Sequence, residues 1–399
     1  MSAYKILLTS CSFCALCASG LPASPLVSIG DNADVYFTGS SSARWTSNVF
    51  RDEVNESEDV ILSYSPGLEV NIGRGLSNLD VVLRSGFNFV SYTENSNLDA
   101  ELFSVSGLVV YGSSRWDVNG SLTFAENQSA TGEANAVSDL ILTEDVKSNI
   151  ATEYRLSPKF SLGSGISYQS KEYISPKNQF ANTDSFSLPA DIFYKWTPKV
   201  DLSLGYLYSN RDVDSYDRAP SNPADGLVEG YSTTTHFLNI GARGVLLPKL
   251  TGFFKIGYNT RDSDSTGEVL RNKSQGSLGL DADLAWATTA KLTNNFKFSR
   301  DFDVSGDGNS TEVSSFTVSS IYLVSSFWSI ASNVGYTLRS YQDGREREDN
   351  QYSAGINANY TLNQYWSFSG GYSYSDNQSD QAGNNFTDHV LSISASLRY

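Results

Sequence analysis

Leu391-Ser392-Ile393-Ser394-Ala395-Ser396-Leu397-Arg398-Tyr399 ends the chain, and its reading decides the fold. Apolar side chains stand at every odd position, with three serines and an arginine between them. That period of two belongs to a strand with one apolar and one polar face. Trp366, Phe368, Gly370, Tyr372 and Tyr374 repeat it against Ser367, Ser369, Gly371, Ser373 and Ser375. Tyr352 to Leu362, Val200 to Tyr208 and Leu278 to Trp286 follow the same rule. In the last of these the interleaved face carries Asp281 and Asp283, so these are amphipathic strands with one wet face. Composition agrees: 13% aromatic, 31 Gly, one Met and 18% charged residues among 399 suit strands and turns better than helices. The hydrophobic share, 40%, is too high for a disordered chain.

Outward from these strands, the connections alternate in length. Ser157-Pro158-Lys159, Thr197-Pro198-Lys199, Leu247-Pro248-Lys249, Thr289-Ala290-Lys291, Ser325-Ser326-Phe327 and Asn363-Gln364-Tyr365 are short turns leading into strands. Between them run longer polar links, such as Asn48 to Asp59, Asp212 to Glu229 and Ser263 to Arg271. Strict alternation of short and long connections marks an outer-membrane barrel with short periplasmic turns and long external loops. Strands read between these signals number eighteen, from 34–45 to 386–398, with sixteen the alternative. An even count places both termini in the periplasm. The predicted fold is therefore all-β, a transmembrane antiparallel up-and-down β-barrel over 24–399. Trp116, Trp196, Trp286, Trp328, Tyr365, Trp366 and Tyr399 fall at strand ends, where interfacial girdles place them; a soluble sandwich would not collect them there.

Met1 to Ala23 carries one positive charge, at Lys5, an apolar stretch from Ile6 to about Ala18, and small residues at Ser19, Gly20 and Ala23. This reads as a secretory signal cleaved after Gly20 or Ala23. A lipoprotein reading of Leu8-Thr9-Ser10-Cys11 has too short an apolar run before Cys11. Cys11, Cys14 and Cys17 all lie in the signal, so the mature chain has no disulfide, thiol nucleophile or thiolate metal site. Its removal takes one lysine from the 28 basic residues and none of the 44 acidic, moving the net charge from −16 to −17. Such a field repels nucleic acid.

If the apolar positions face lipid, the interleaved residues face the lumen. The basic candidates there are Arg84, Arg155, Lys171, Lys195, Arg211, Arg243, Lys255, Arg261, Lys297, Arg339 and Arg398. The acidic ones are Glu69, Asp80, Asp99, Glu101, Asp117, Glu153, Asp191, Asp201, Asp281 and Asp283. The near balance fits two roles: ion pairing between neighbouring strands, or hydrogen bonding to a hydroxyl-rich or charged permeant. Asp301, Asp303, Ser305, Gly306, Asn309 and Glu312 match the spacing of an EF-hand calcium loop. They sit between strands, however, with Gly308 where an apolar side chain belongs, so a plain hairpin is expected and no metal. His236 and His389 are the only histidines, read as strand or rim residues. No nucleophile elbow or glycine-rich phosphate loop occurs, so neither an enzyme nor a cofactor is expected.

Thr46-Ser47-Asn48-Val49-Phe50-Arg51 and Leu62-Ser63-Tyr64-Ser65-Pro66-Gly67-Leu68 open the mature chain; Arg347-Glu348-Asp349-Asn350-Gln351-Tyr352, Gly371-Tyr372-Ser373-Tyr374-Ser375-Asp376-Asn377 and Leu397-Arg398-Tyr399 close it. These segments resemble the β-barrel porins associated with exopolysaccharide biosynthesis and export operons. The resemblance implies an outer-membrane conduit for an exopolysaccharide or capsular polysaccharide. Its partners would be membrane lipid, the glycan and periplasmic polysaccharide-export proteins. The alternatives are a general diffusion porin for small solutes and a structural or surface-binding barrel without transport. The alternating face of Leu391, Ile393, Ala395, Leu397 and Tyr399 also resembles the terminal strand that barrel-assembly machinery recognises.

The parity yields a direct prediction. Leu202→Arg or Leu280→Arg places a charge on the lipid face at a cost of about 2–4 kcal/mol near the midplane. Quantitative blotting should show less inserted protein, while conductance per inserted pore stays at the wild-type value.

Overall fold

A computed structural model describes residues 24–73, 75, 77–130, 140–175, 179–217, 227–264, 274–306, 308–342 and 347–399. The signal segment Met1 to Ala23 lies outside the described residues. Eighteen antiparallel strands form the wall: β1 Ala33–Thr46, β2 Asp59–Ile72, β3 Leu79–Tyr92, β4 Ala100–Gly112, β5 Trp116–Ser129 and β6 Ile141–Arg155. They continue with β7 Phe160–Ser175, β8 Thr183–Lys195, β9 Val200–Val213, β10 Tyr231–Leu247, β11 Leu250–Ser263 and β12 Ser274–Ala287. The last six are β13 Leu292–Val304, β14 Ser310–Leu323, β15 Trp328–Tyr341, β16 Glu348–Thr361, β17 Trp366–Ser379 and β18 Phe386–Arg398. Each pairs with its sequence neighbours, and β18 closes on β1 from Thr38↔Arg398 to Thr46↔Val390. Beyond that ladder, Phe37 and Tyr399 exchange two backbone hydrogen bonds of 2.6 and 2.8 Å.

Eighteen strands about 4.8 Å apart and tilted about 40° give a backbone radius of roughly 18 Å, wide enough for a channel. The outer face carries a broad apolar belt: Ile393 is 67% exposed, Val334 and Ile240 61% each. An apolar belt of that extent is stable only against hydrocarbon. Aromatic pairs border it at the short-turn rim, among them Trp116 with Tyr154, Phe160 with Tyr194, Trp328 with Tyr360 and Tyr365 with Tyr399. On the other side Tyr336 pairs with Tyr352. Trp328 and Tyr336 are eight residues apart on β15, as are Tyr352 and Tyr360 on β16. On tilted strands that is about 20 Å, close to the apolar band of about 25 Å.

The expected strand count and order stand, and the boundaries move by three residues or fewer. β5, β7 and β17, expected over 115–126, 160–172 and 366–376, end three residues later, all toward the long-loop rim, where the ladder continues beyond the membrane. Two features depart from expectation. Val27–Ile29 pairs with Ala33 to Val35, and the link from Asp212 to Glu229 contains a short ladder, Tyr216↔Val228 and Asp217↔Leu227.

Closure through one terminal ladder implies that deleting Leu397 to Tyr399 removes the pairs that seal the short-turn rim. The truncated protein should lose the heat-modifiable folded band on gels and the membrane-integrated fraction, because an unsealed edge cannot be hydrogen-bonded by lipid.

Candidate functional site in the barrel lumen

Register sorts the sequence candidates by face, because residues paired across an antiparallel ladder point the same way. Arg84 and Glu69 are paired and ion-bonded at 2.8 Å, and Glu69 also takes Arg398 at 2.7 Å from across β1. Arg155 bridges to Asp117, and Lys297 reaches Asp283 at 3.5 Å. Arg243 holds Glu153 at 2.7 Å and Asp201 at 3.2 Å, with its guanidinium 3.5 Å from the Phe193 ring centroid. Lys255 holds Asp191 at 2.8 Å and stands opposite Asp281. Each ion-paired residue here lies within five positions of its strand's short-turn end, so together they form a charged belt at that rim. Lys195 is exposed at the same rim, and Asp80 accepts the Gly75 amide in the β2–β3 turn.

Several of these pairs skip strands. Four ladder spacings separate β6 from β10, about 19 Å on a flat sheet. The Arg243–Glu153 pair therefore requires the wall to curl tightly between them. Phe193 fills that corner: it is 8% exposed, and a Cβ on Gly163 would come within 2.8 Å of its ring. Such bridges can form only on the concave side, which fixes that face as the lumen.

Toward the long-loop rim a second polar tier contains Arg211, Arg261, Lys171 and Arg339. Arg211 pairs with Asp303 at 2.6 Å across four strand spacings, and Arg261 donates to Gln275 at 2.6 Å. Lys171 lies over the Tyr173 ring, and with Arg339 it borders a gap between opposite walls. Between the tiers, the inner faces of β16 and β17 carry no charge from Gln351 to Thr361 or from Ser367 to Asn377. They present only Ser, Thr, Asn, Gln and Gly.

Two candidates are corrected. Glu101 stands opposite Phe89 on the lipid-side face of β4 and is exposed. Asp99 lies off the wall, where it accepts hydrogen bonds from the Tyr92 amide and the Ser91 hydroxyl. The calcium-spaced residues are not brought together. Asp301 accepts from Asn259, Asp303 from Arg211, and Glu312 points to the outer face, where Arg300 holds it at 2.7 Å. Ser305 and Asn309 close a tight turn, Ser305 N donating to Asn309 O at 2.9 Å. His236 and His389 sit on the outer face, 2.7 and 2.8 Å from the hydroxyls of Tyr206 and Tyr372.

Sequence reasoning missed what narrows the mouth. The β12–β13 ladder stops at Leu280↔Arg300, yet β13 pairs with β14 up to Val304↔Ser310. The β13–β14 tip thus leaves the wall and tucks inward: Ser310 and Thr311 are fully buried, Ala181 N donates to Gly306 O, and Tyr231 donates to Gly308 O at 2.6 Å. Gly308 has φ +69°, and a Cβ there would meet the Tyr216 ring at 2.9 Å, so glycine permits the fit. Across the mouth, Val49 packs with Ile61, Tyr92, Leu98 and Leu140. Nearby, Asn385 and the Gly383 amide donate to Glu53 and hold its carboxyl below the usual range. Inward apolar residues at the polar parity nearer that rim, Ile61 and Phe237, were the available signal.

Residues 38–399 match the family described as "Putative beta-barrel porin 2". The chain belongs to that family. No curated protein matches. Among solved structures this porin resembles Pseudomonas aeruginosa OpdK, solved with vanillate, at 12% identity and TM-score 0.45, over 92% of this chain and 99% of that one. It also resembles P. aeruginosa OccK2 (OpdF), solved with glucuronate, at 10% identity and TM-score 0.47, over 92% and 98%. A third is the E. coli ferric-catecholate receptor Fiu, at 9% and 0.47, over 93% and 82%. The porin is an outer-membrane β-barrel.

Arg243 and Lys255 are adjacent across the β10–β11 ladder region and each neutralises lumen carboxylates. Replacing both with glutamate turns two positive charges into two negative ones in a confined wall. The zero-current potential in a salt gradient should shift toward cation selectivity; an unchanged potential means the belt does not meet the permeant.

Proposed function

We propose that this porin is a conduit through which a hydroxyl-rich glycan, an exopolysaccharide or capsular polysaccharide, leaves the periplasm. The observation that carries the reading is the uncharged Ser, Thr, Asn and Gln surface of β16 and β17 between two charged tiers. Many weak hydrogen bonds to hydroxyls let a polymer slide, where a few strong charges would hold it. In this reading the charged lumen residues named above line the pore, and the ion pairs hold its shape. The short-turn rim and both termini face the periplasm, Met1 to Ala23 is removed on export, and β18 is read by the assembly machinery. Periplasmic export proteins would meet the short-turn rim. The belt's self-neutralisation also favours a second reading, a general diffusion porin with little charge preference.

Planar-bilayer recording tests the choice. With purified protein, maltohexaose should block the potassium chloride current in a concentration-dependent, reversible manner. Passage of current without block favours a general porin, and a barrel that conducts nothing would refute transport.

A further inference from the structure

Below the tucked β13–β14 tip, the wall of β7 to β11 and the inner side of β13 enclose a half-open cavity of about 210 Å³. It holds several times the roughly 30 Å³ share of one water. Hydroxyls line one side, among them Ser187, Ser209 and Thr235, and the Phe237 ring lies among them. Asn259 is 2% exposed; its Nδ2 donates to Asp301 at 3.1 Å, while its Oδ1 accepts from no described residue. The Asn259 amide thus braces Asp301 from behind the cavity wall. Asp301, by contrast, remains accessible from the cavity.

Formal charge decides the class of ligand. Arg211 and Arg261 face the cavity together with Asp301 and Asp303, so the four cancel. The chain's net −16 further repels a polyanion at the entrance. What remains is the accessible Asp301 carboxylate as acceptor, hydroxyls that both donate and accept, and an aromatic ring. These suit a ligand with adjacent hydroxyls on one edge and C–H groups on one face.

We propose that this cavity is a binding subsite for one uncharged glycosyl unit of the permeating polymer. Two neighbouring sugar hydroxyls donate to the Asp301 carboxylate, and the sugar's C–H face lies on Phe237. The inference rests on the glycan reading above and adds a place and a preference for neutral sugars over uronates. The inward β13–β14 tip roofs the site, which links ligand binding to the position of that tip.

Saturation-transfer NMR on the full-length barrel in detergent, with maltohexaose and with hexagalacturonate as probes, tests it. Maltohexaose should bind, with hexagalacturonate at least tenfold weaker. Asp301→Asn, which keeps the contact with Asn259, and Thr235→Val should each weaken maltohexaose binding fivefold or more. Heat modifiability should stay unchanged in both, which separates loss of binding from loss of fold. Unaltered affinity in both variants overturns the subsite and leaves the conduit reading standing if bilayer block persists. Tighter binding of hexagalacturonate overturns the preference for neutral sugars. Absence of both binding and block brings down subsite and glycan reading together.

Discussion

Backbone hydrogen bonding in a medium without water is the constraint on which everything else depends. Each N–H and C=O at membrane depth must find a partner within the sheet, so the sheet must close. Here closure rests on the β1–β18 ladder and the Phe37–Tyr399 exchange beside it. Once the sheet is a tube, successive side chains have only two destinations. One is hydrocarbon and the other is the lumen, and the period of two through β16, β17 and β18 is their imprint on the sequence.

Charge inside the tube is handled by pairing and placement. Ion pairs gather near the short-turn rim, where Arg243 serves Glu153 and Asp201 together and lies on Phe193. Bridges that skip strands do more than neutralise: they hold the wall in a tight curl on the β6–β10 side, while the β16–β17 side stays uncharged from Gln351 to Thr361 and from Ser367 to Asn377. At the other rim, apolar contacts around Val49 and the inward β13–β14 tip narrow the mouth. The resulting lumen has a charged, sculpted side and a smooth hydroxyl side.

The strand plan was legible because alternation and turn chemistry are local. Trp328 to Tyr341 and Phe386 to Arg398 have the boundaries that their patterns imply. Parity failed where apolar residues occupy both faces. In β4, Leu102, Val105, Leu108, Val109 and Val110 give no clear phase, and Glu101 was assigned to the wrong side. Asp99 leaves the wall because its partners, Ser91 and Tyr92, both stand at the end of the preceding strand, β3, and hold it in the connection. The inward tip was illegible for a different reason: it depends on contacts of Gly306 and Gly308 with Ala181 and Tyr231, far apart in sequence. The spacing of the calcium-like residues matched a motif, but in a hairpin Asp301 and Glu312 project to opposite faces.

The central claim is that alternate residues face opposite media around one closed wall. No cysteine follows Cys17, so single cysteines can report it cleanly. Ser353→Cys, Ile356→Cys, Phe368→Cys and Ser369→Cys should be exposed in intact outer membranes to a small, charged, membrane-impermeant thiol reagent. The account predicts labelling at 353 and 369 and protection at 356 and 368. The reverse pattern, or equal labelling at all four, would contradict it.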